Sequence, residues 1–305
     1  MSLHAIERQG PGGASDETAE GPLPDATSAE ASGAPAGTAE PPPESDAERA
    51  ARRRARALLL ERTLDTLDAA RPSPASGRRD DAPSLEDCLA AVAESDPTRE
   101  PRTFDLAFGL APRRFGRDPL LADPRARAAF RERAERCLSG WHPERWQLDE
   151  AARALLITAA GDSALPSLLV RVLRHADLGE QLALYKALPL FPTDGRVRAA
   201  VRRGLRTNMR AVFEAIAHDN PWPARHLDRD GWNQMVLKAL FVESALAPIQ
   251  GLDARRDAEL AGMLLDYARE RRSAGRAVPA ELWDALGPFA TPDALAPFIP
   301  LEGAA

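Results

Sequence analysis

Forty of the 305 residues are Lys or Arg, yet only Lys186 and Lys238 are lysines. In a chain that places arginine wherever a cation is wanted, a lysine marks a position where the planar guanidinium would not fit or would not work. A desolvated amine for nucleophilic or proton-transfer chemistry is one such reason; a packed helix without room for a guanidinium is the other. Lys238 closes the string Trp232-Asn233-Gln234-Met235-Val236-Leu237-Lys238, which follows the polar, proline-punctuated segment His218-Asp219-Asn220-Pro221-Trp222-Pro223-Ala224-Arg225-His226-Leu227-Asp228. Pro221 and Pro223 push Asn220 and Trp222 away from helical conformations, which predicts a stiff loop able to hold side chains for binding. A purely structural alternative has Trp222 filling an apolar gap and Asn220 capping the turn. The candidate binding surface is therefore Asn220, Trp222, His226, Trp232, Asn233, Gln234 and Lys238.

Other chemistry is weaker. His218, Asp219, His226 and Asp228 are metal-ligand types within a short span, but their spacing matches no zinc motif, so no metal is expected. His142 and His175 read as isolated surface or core-edge residues. Asp80-Asp81 lacks the second aspartate-rich helix that helical isoprenoid enzymes need. No Gly-rich phosphate loop, nucleophile elbow or Cys-x-x-Cys occurs, and no cofactor or catalytic residue is assigned.

The elements that must position these residues are helices. From Asp46 to Ala70, Leu58, Leu59, Leu64 and Leu67 recur at helical spacing. Ser84, with Asp87 three residues on, reads as an N-cap, and Asp123-Pro124 opens a helix to about Leu138. Helices are then predicted over 148–160, 163–176, 178–188, 195–205, 208–217, 228–241 and 257–273, with a short last one from Pro279 and a C-cap glycine at Gly275. Strand signals are nearly absent. Short helices with short links pack as antiparallel neighbours, which predicts an all-α fold, an irregular α-solenoid of HEAT or armadillo kind. On helix 228–241, Trp232, Met235, Val236, Ala239 and Leu240 form a core stripe, with Asp230, Gln234 and Lys238 on another face and Asn233 beside them.

Composition sets the frame. Residues 1–46 hold nine carboxylates against Arg8 alone and no aromatic residue, which predicts a disordered acidic head carrying −8. The chain totals −6, so the body lies near +2, and nucleic acid is not an expected partner. A single helical domain is expected over 47–300, with a flexible break at 71–83. The run Arg52-Arg53-Arg54-Ala55-Arg56 reads as solvated helix turns, with a polyanion or membrane-surface contact as the lesser alternative. Cys88 and Cys137 lie far apart without metal spacing, which suits a reduced, cytoplasmic protein. No signal peptide is evident, and no stretch reaches the ~18 apolar residues of a membrane span.

A resemblance joins these observations. Asn220-Pro221 with Pro223, the run Trp232 to Phe241, Gly251-Leu252-Asp253, Tyr267-Ala268-Arg269-Glu270-Arg271, and Pro279 through Trp283 together resemble the EboA family, most closely over residues 145–287. The resemblance implies a helical, cytosolic component of a bacterial gene cluster linked to metabolite traffic and a prenyl-type product. Such clusters also encode proteins similar to a prenyltransferase, a metal-dependent hydrolase, a sugar-phosphate isomerase and a dehydroquinate synthase. It brings no catalytic residue with it. Two readings follow: a non-catalytic protein binding a metabolite or a pathway enzyme through the 220–238 surface, or an enzyme of the same pathway with a pocket around Lys238, Asn233 and His226.

Overall fold

The computed structural model describes residues 44–70 and 82–298, and the described residues form fifteen α-helices and no strand. Most of the 1–46 head and of the 71–83 break lies outside the described residues. None of the described helices is long and apolar enough to cross a membrane. Cys88 and Cys137 are free thiols.

Helix starts follow the sequence closely. Ser84, Asp123, Asp177, Asp194, Asp228 and Asp257 each accept a hydrogen bond from the N–H three residues on, opening α2 (Leu85–Glu94), α5 (Pro124–Cys137), α8 (Leu178–Lys186), α9 (Gly195–Leu205), α12 (Arg229–Phe241) and α13 (Ala258–Ser273). Each such cap satisfies an orphan donor and contributes roughly 0.5–2 kcal/mol. After α13, Gly275 adopts φ 67°, the left-handed turn expected of a glycine there.

The centre of the fold is α6 (Leu148–Ala159), in which every residue from Leu148 to Ile157 is buried. It packs against α1 (Asp46–Ala70), α2, α3 (Pro101–Gly109), α4 (Ala111–Phe115), α7 (Leu165–Leu173) and α8. A stack of repeats touching only their neighbours would not give one helix so many partners. Neighbour stacking is found locally, where α7 meets α9, α9 meets α10 (Arg210–Ala217), and α10 meets α8.

The basic run on α1 differs from the solvated face expected. Arg53 and Arg54 are exposed, but Arg52 is buried and pairs with Asp162 at 3.1 Å and with Glu44. Arg56 meets Asp162 at 2.7 Å and donates to the Leu190 carbonyl at 2.9 and 2.7 Å. Residues i and i+4 share a helix face, and this face is the one turned to the core.

At Gly204 on α9, a Cβ would stand 2.6 Å from Tyr185 Oη and 2.7 Å from Ile216 Cδ1. That glycine lets α8, α9 and α10 close together. Gly204→Ala overpacks this point and is expected to lower stability by about 1–3 kcal/mol, read as a fall in the urea midpoint with unchanged slope.

Candidate functional site

The segment after α10 is not the loop that two prolines predict. It turns into a short helix, α11 (Trp222–His226), with Pro221 at its N-cap. Proline is tolerated in a first helical turn because its missing N–H would be unpaired there anyway. Asn220 makes the turn work from outside the helix. Its Nδ2 donates to the carbonyls of Tyr185 (3.0 Å) and Ala215 (3.3 Å), and its Oδ1 accepts from the Trp222 N–H at 3.0 Å. Asn220 is 2% exposed, so it is an internal clamp between α8 and α10. Trp222 is buried and donates from Nε1 to Thr193 Oγ1 at 2.8 Å.

The other residues singled out by sequence have separate surroundings. The Lys238 ammonium donates to the carbonyls of Leu205 and Thr207 and lies 5.5 Å from the Phe213 ring centroid. It therefore closes the C-terminal end of α9, where carbonyls lack helical partners and a cation suits the dipole. Burial lowers its pKa from the usual lysine value. Asn233 is buried rather than part of a polar face, and neither of its side-chain polar atoms has a partner within the protein. Trp232 is buried beneath Arg255, whose guanidinium carbon is 4.8 Å from the ring centroid. Gln234 is exposed.

His226 packs on Trp222, ring centroids 5.1 Å apart. Burial first, then the charges of Arg225 and Arg198, push its pKa down to about 4, against a weaker pull from Glu48. An unfolded histidine titrates near 6.5, so between those values the unfolded chain binds the extra proton. The stabilisation is thus complete above about pH 6.5 and is lost as pH falls toward 4. With allowance for partial solvent access, wild type should lose about 1–2 kcal/mol from this group between pH 7 and 5, and His226→Phe should not. Urea unfolding at the two pH values measures the difference; equal losses in both proteins would refute the assignment.

A cavity of about 320 Å³ lies beside the Asn220 clamp. Leu182 and Lys186 of α8 line one wall, and Ala211, Glu214 and Ala215 of α10, continued by His218 and Asp219, line another. His142, Arg145 and Trp146 complete it. Those last residues are held by the 3₁₀ turn Pro143–Arg145 and by Leu120, whose N–H donates to the Trp146 carbonyl at 2.8 Å. Asp219 has φ 48°, an uncommon conformation that aspartate tolerates better than most residues. Its N–H donates to the Pro248 carbonyl at 3.0 Å, which holds the turn in place.

The charges around the cavity are paired. Lys186 meets Glu150 at 2.6 Å, Arg145 meets Asp219 at 3.3 Å, and Arg210 meets Glu214 at 2.7 Å. Glu150 also accepts from the Gln147 N–H at 3.0 Å, so one carboxylate closes the start of α6 and anchors the lysine. Burial raises the Glu214 pKa, but hydrogen bonds from Arg210 and Ser244 outweigh it and hold the carboxyl below its ordinary value. Among the described residues, no group of three or more His, Cys, Asp or Glu side chains is placed to hold a metal ion.

None of the seven residues proposed from sequence lines this cavity, although His218 and Asp219, at the start of the same segment, do. Lys238, Asn233 and His226 do not surround a common pocket there. His142, read as isolated, is a wall residue. Lys186, Glu214, Arg145 and Trp146 were missed. The signal for Lys186 was present, because scarcity of lysine marked both lysines equally.

The family model for the metabolite traffic protein EboA matches residues 85–287, beginning well before the stretch where the motifs are densest. Neither a curated protein nor a solved structure matches the chain. The match spans more than half of the chain, from α2 through the cavity walls and the Trp232–Lys238 helix to α14 (Ala280–Leu286), and so the chain belongs to the EboA family of metabolite traffic proteins.

Proposed function

We propose that this chain is a non-catalytic helical component of a bacterial metabolite-traffic pathway and holds a small metabolite in the cavity between α8, α10 and residues 142–146. The cavity carries this reading. Its volume of about 320 Å³ lies within the roughly 300–1,000 Å³ range of small-molecule sites. Trp146, Leu182, Ala211 and Ala215 give its walls apolar contact area, and the polar side chains of His142, Arg145, Lys186, Glu214, His218 and Asp219 could fix a ligand's orientation, in a lining more polar than most small-molecule sites carry. The family's description as a metabolite traffic protein supports the same direction. The Asn220–Lys238 stretch acts in this reading as the frame: Asn220 ties together the two helices that form the walls, and Lys238 closes α9 behind them. Gln234, exposed on α12, is left as the point of contact for a partner protein. We place the protein in the cytoplasm, as one helical domain over 47–300, beside the prenyltransferase-like, hydrolase-like, isomerase-like and dehydroquinate-synthase-like proteins of its cluster. A prenyl-type product is the expected pathway output.

The test fills the cavity without disturbing the core. Ala211 is exposed on the cavity wall, so Ala211→Trp adds an indole there at little cost to packing. Full-length wild type and variant, purified from the native host, are denatured and their small molecules compared by mass spectrometry. A compound bound to wild type should fall at least about tenfold in the variant, the loss of about 1.4 kcal/mol of binding. Identical small-molecule content would rule out this cavity as the site.

A further inference from the structure

Arg54, Ala57, Leu58 and Glu61 fall at i, i+3, i+4 and i+7 of α1, on one helix face. Arg133, Arg136 and Cys137 share a face of α5 at i, i+3 and i+4. The two helices pack together, and these faces border a groove of about 370 Å³. We propose that this groove is a second ligand site and that its occupant is a small molecule carrying a phosphate group.

The charge of the groove is the first argument. Three guanidiniums and one carboxylate line it, a surplus of +2, as large as that of the whole body of the chain. The carboxylate, Glu61, is taken by Arg133, whose Nη2 donates to its two oxygens at 3.0 and 2.8 Å. Among the described residues, neither Arg54 nor Arg136 has an ion-pair partner. On α1 the positions three and four residues from Arg54 hold only alanine and leucine. Glu132, one turn before Arg136, is exposed and makes no ion pair with it. Glu135 accepts from Ser139 Oγ at 2.6 Å and from the Gly140 N–H at 2.7 Å instead. The basic run on α1 is thus divided: Arg52 and Arg56 turn to the core, and Arg54 borders the groove.

Donor geometry sets the ligand class. A guanidinium is a planar fork that pairs bidentately with phosphate, and Arg133 spends only Nη2 on Glu61. A phosphate monoester brings a charge of about −1.5 to −2 at pH 7 and three acceptor oxygens, which matches the groove's surplus; a carboxylate brings half the charge and two oxygens. Buried Leu58, Ala57 and the half-buried Cys137 thiol give the groove an apolar side, and salt screens partly buried charges less than exposed ones. The groove's volume suits a small molecule rather than the flat face of a membrane. No residue lines both this groove and the cavity beside Asn220, so the two sites are tested apart.

Cys137 reports from within the groove, while Cys88 is buried. The full-length protein is labelled with an anionic and a cationic methanethiosulfonate reagent, and Cys137→Ser identifies the Cys137 signal. The ratio of anionic to cationic labelling rate should be at least about tenfold higher in wild type than in the double variant Arg54→Gln, Arg136→Gln. Both arginines are exposed, so the substitutions leave the core intact. Inorganic phosphate should slow the anionic reagent saturably, beyond the effect of sodium chloride at equal ionic strength. Its apparent Kd should rise at least about tenfold in the double variant. Slowing no greater than that of chloride, or the same in wild type and variant, overturns the site. Equal protection by succinate overturns the phosphate assignment. Protection by vesicles containing phosphatidic acid, without protection by inorganic phosphate, makes the surface a membrane contact and overturns the small-molecule assignment.

Discussion

Arg153→Ala should be among the most damaging single substitutions in this protein, costing about 3–5 kcal/mol. Arg153 is 1% exposed in the middle of α6 and meets Asp149, itself 3% exposed, at 3.1 Å. The guanidinium also donates to the Phe108 carbonyl at 3.3 Å and lies 5.5 Å from the Phe108 ring centroid, so it joins α6 to α3. Removing it leaves Asp149 with only Arg117, at 3.9 Å, as a charged partner. Burial already raises the Asp149 pKa, and Glu150 adds to this, against the pull of Arg153 and Arg117. In the variant the carboxyl must neutralise. Its folded pKa rises further above the unfolded value near 3.9, so the deficit is small below about pH 4 and grows as pH rises. Urea unfolding at pH 4.5 and 7.5 should show the larger loss at 7.5. The double variant Arg153→Met, Asp149→Leu removes both charges and should recover most of the stability. A double variant as unstable as Arg153→Ala would locate the cost in packing instead.

Asn220→Ala should follow at about 2–4 kcal/mol. Three hydrogen bonds in a 2% exposed site disappear together, leaving the Tyr185 and Ala215 carbonyls and the Trp222 N–H without this partner. An unsatisfied buried backbone group costs roughly 1–3 kcal/mol, and some relaxation is to be expected. Asn220→Asp keeps the acceptor but turns an anion toward two carbonyl oxygens, so at pH 7 it should be at least as damaging as alanine. A change below about 0.5 kcal/mol for either variant, by denaturant or thermal unfolding, would contradict the clamp. Because Tyr185 precedes Lys186 and Ala215 lines the cavity, both variants should also weaken retention of the metabolite proposed to occupy it.

Local signals in this sequence proved accurate where the governing physics is local. Ser84 and Asp123 cap the helices expected of them, the Trp232 to Leu240 stripe is buried as its spacing requires, and Gly275 takes the left-handed turn. Errors arose where a residue's role depends on something far away in the chain. Pro221 and Pro223 look like loop residues until Asn220 supplies the bond that starts α11. Lys238 stands out for its rarity, and its packed surroundings are set by carbonyls 31 and 33 positions earlier in the chain. His142, Lys186 and Glu214 reach one cavity from three separate elements, and no spacing within any of them announces it. The family resemblance was legible because it rests on short strings read directly along the chain, Trp232 to Phe241 above all; the cavity was not, because it is made by packing.

The position of α6 also shapes how the protein must be made. Its partners fall on both sides of it in the chain, with α1 to α4 ahead and α7 and α8 behind. Synthesis runs from the N-terminus, so the earlier helices leave the ribosome before the helix that covers their apolar faces exists. When α6 emerges it can gather them, but its own far side stays bare until α8 follows. A chain of which only the part up to Ala159 has emerged would therefore still expose the face of α6 that α7 and α8 cover, an apolar surface for a chaperone to hold.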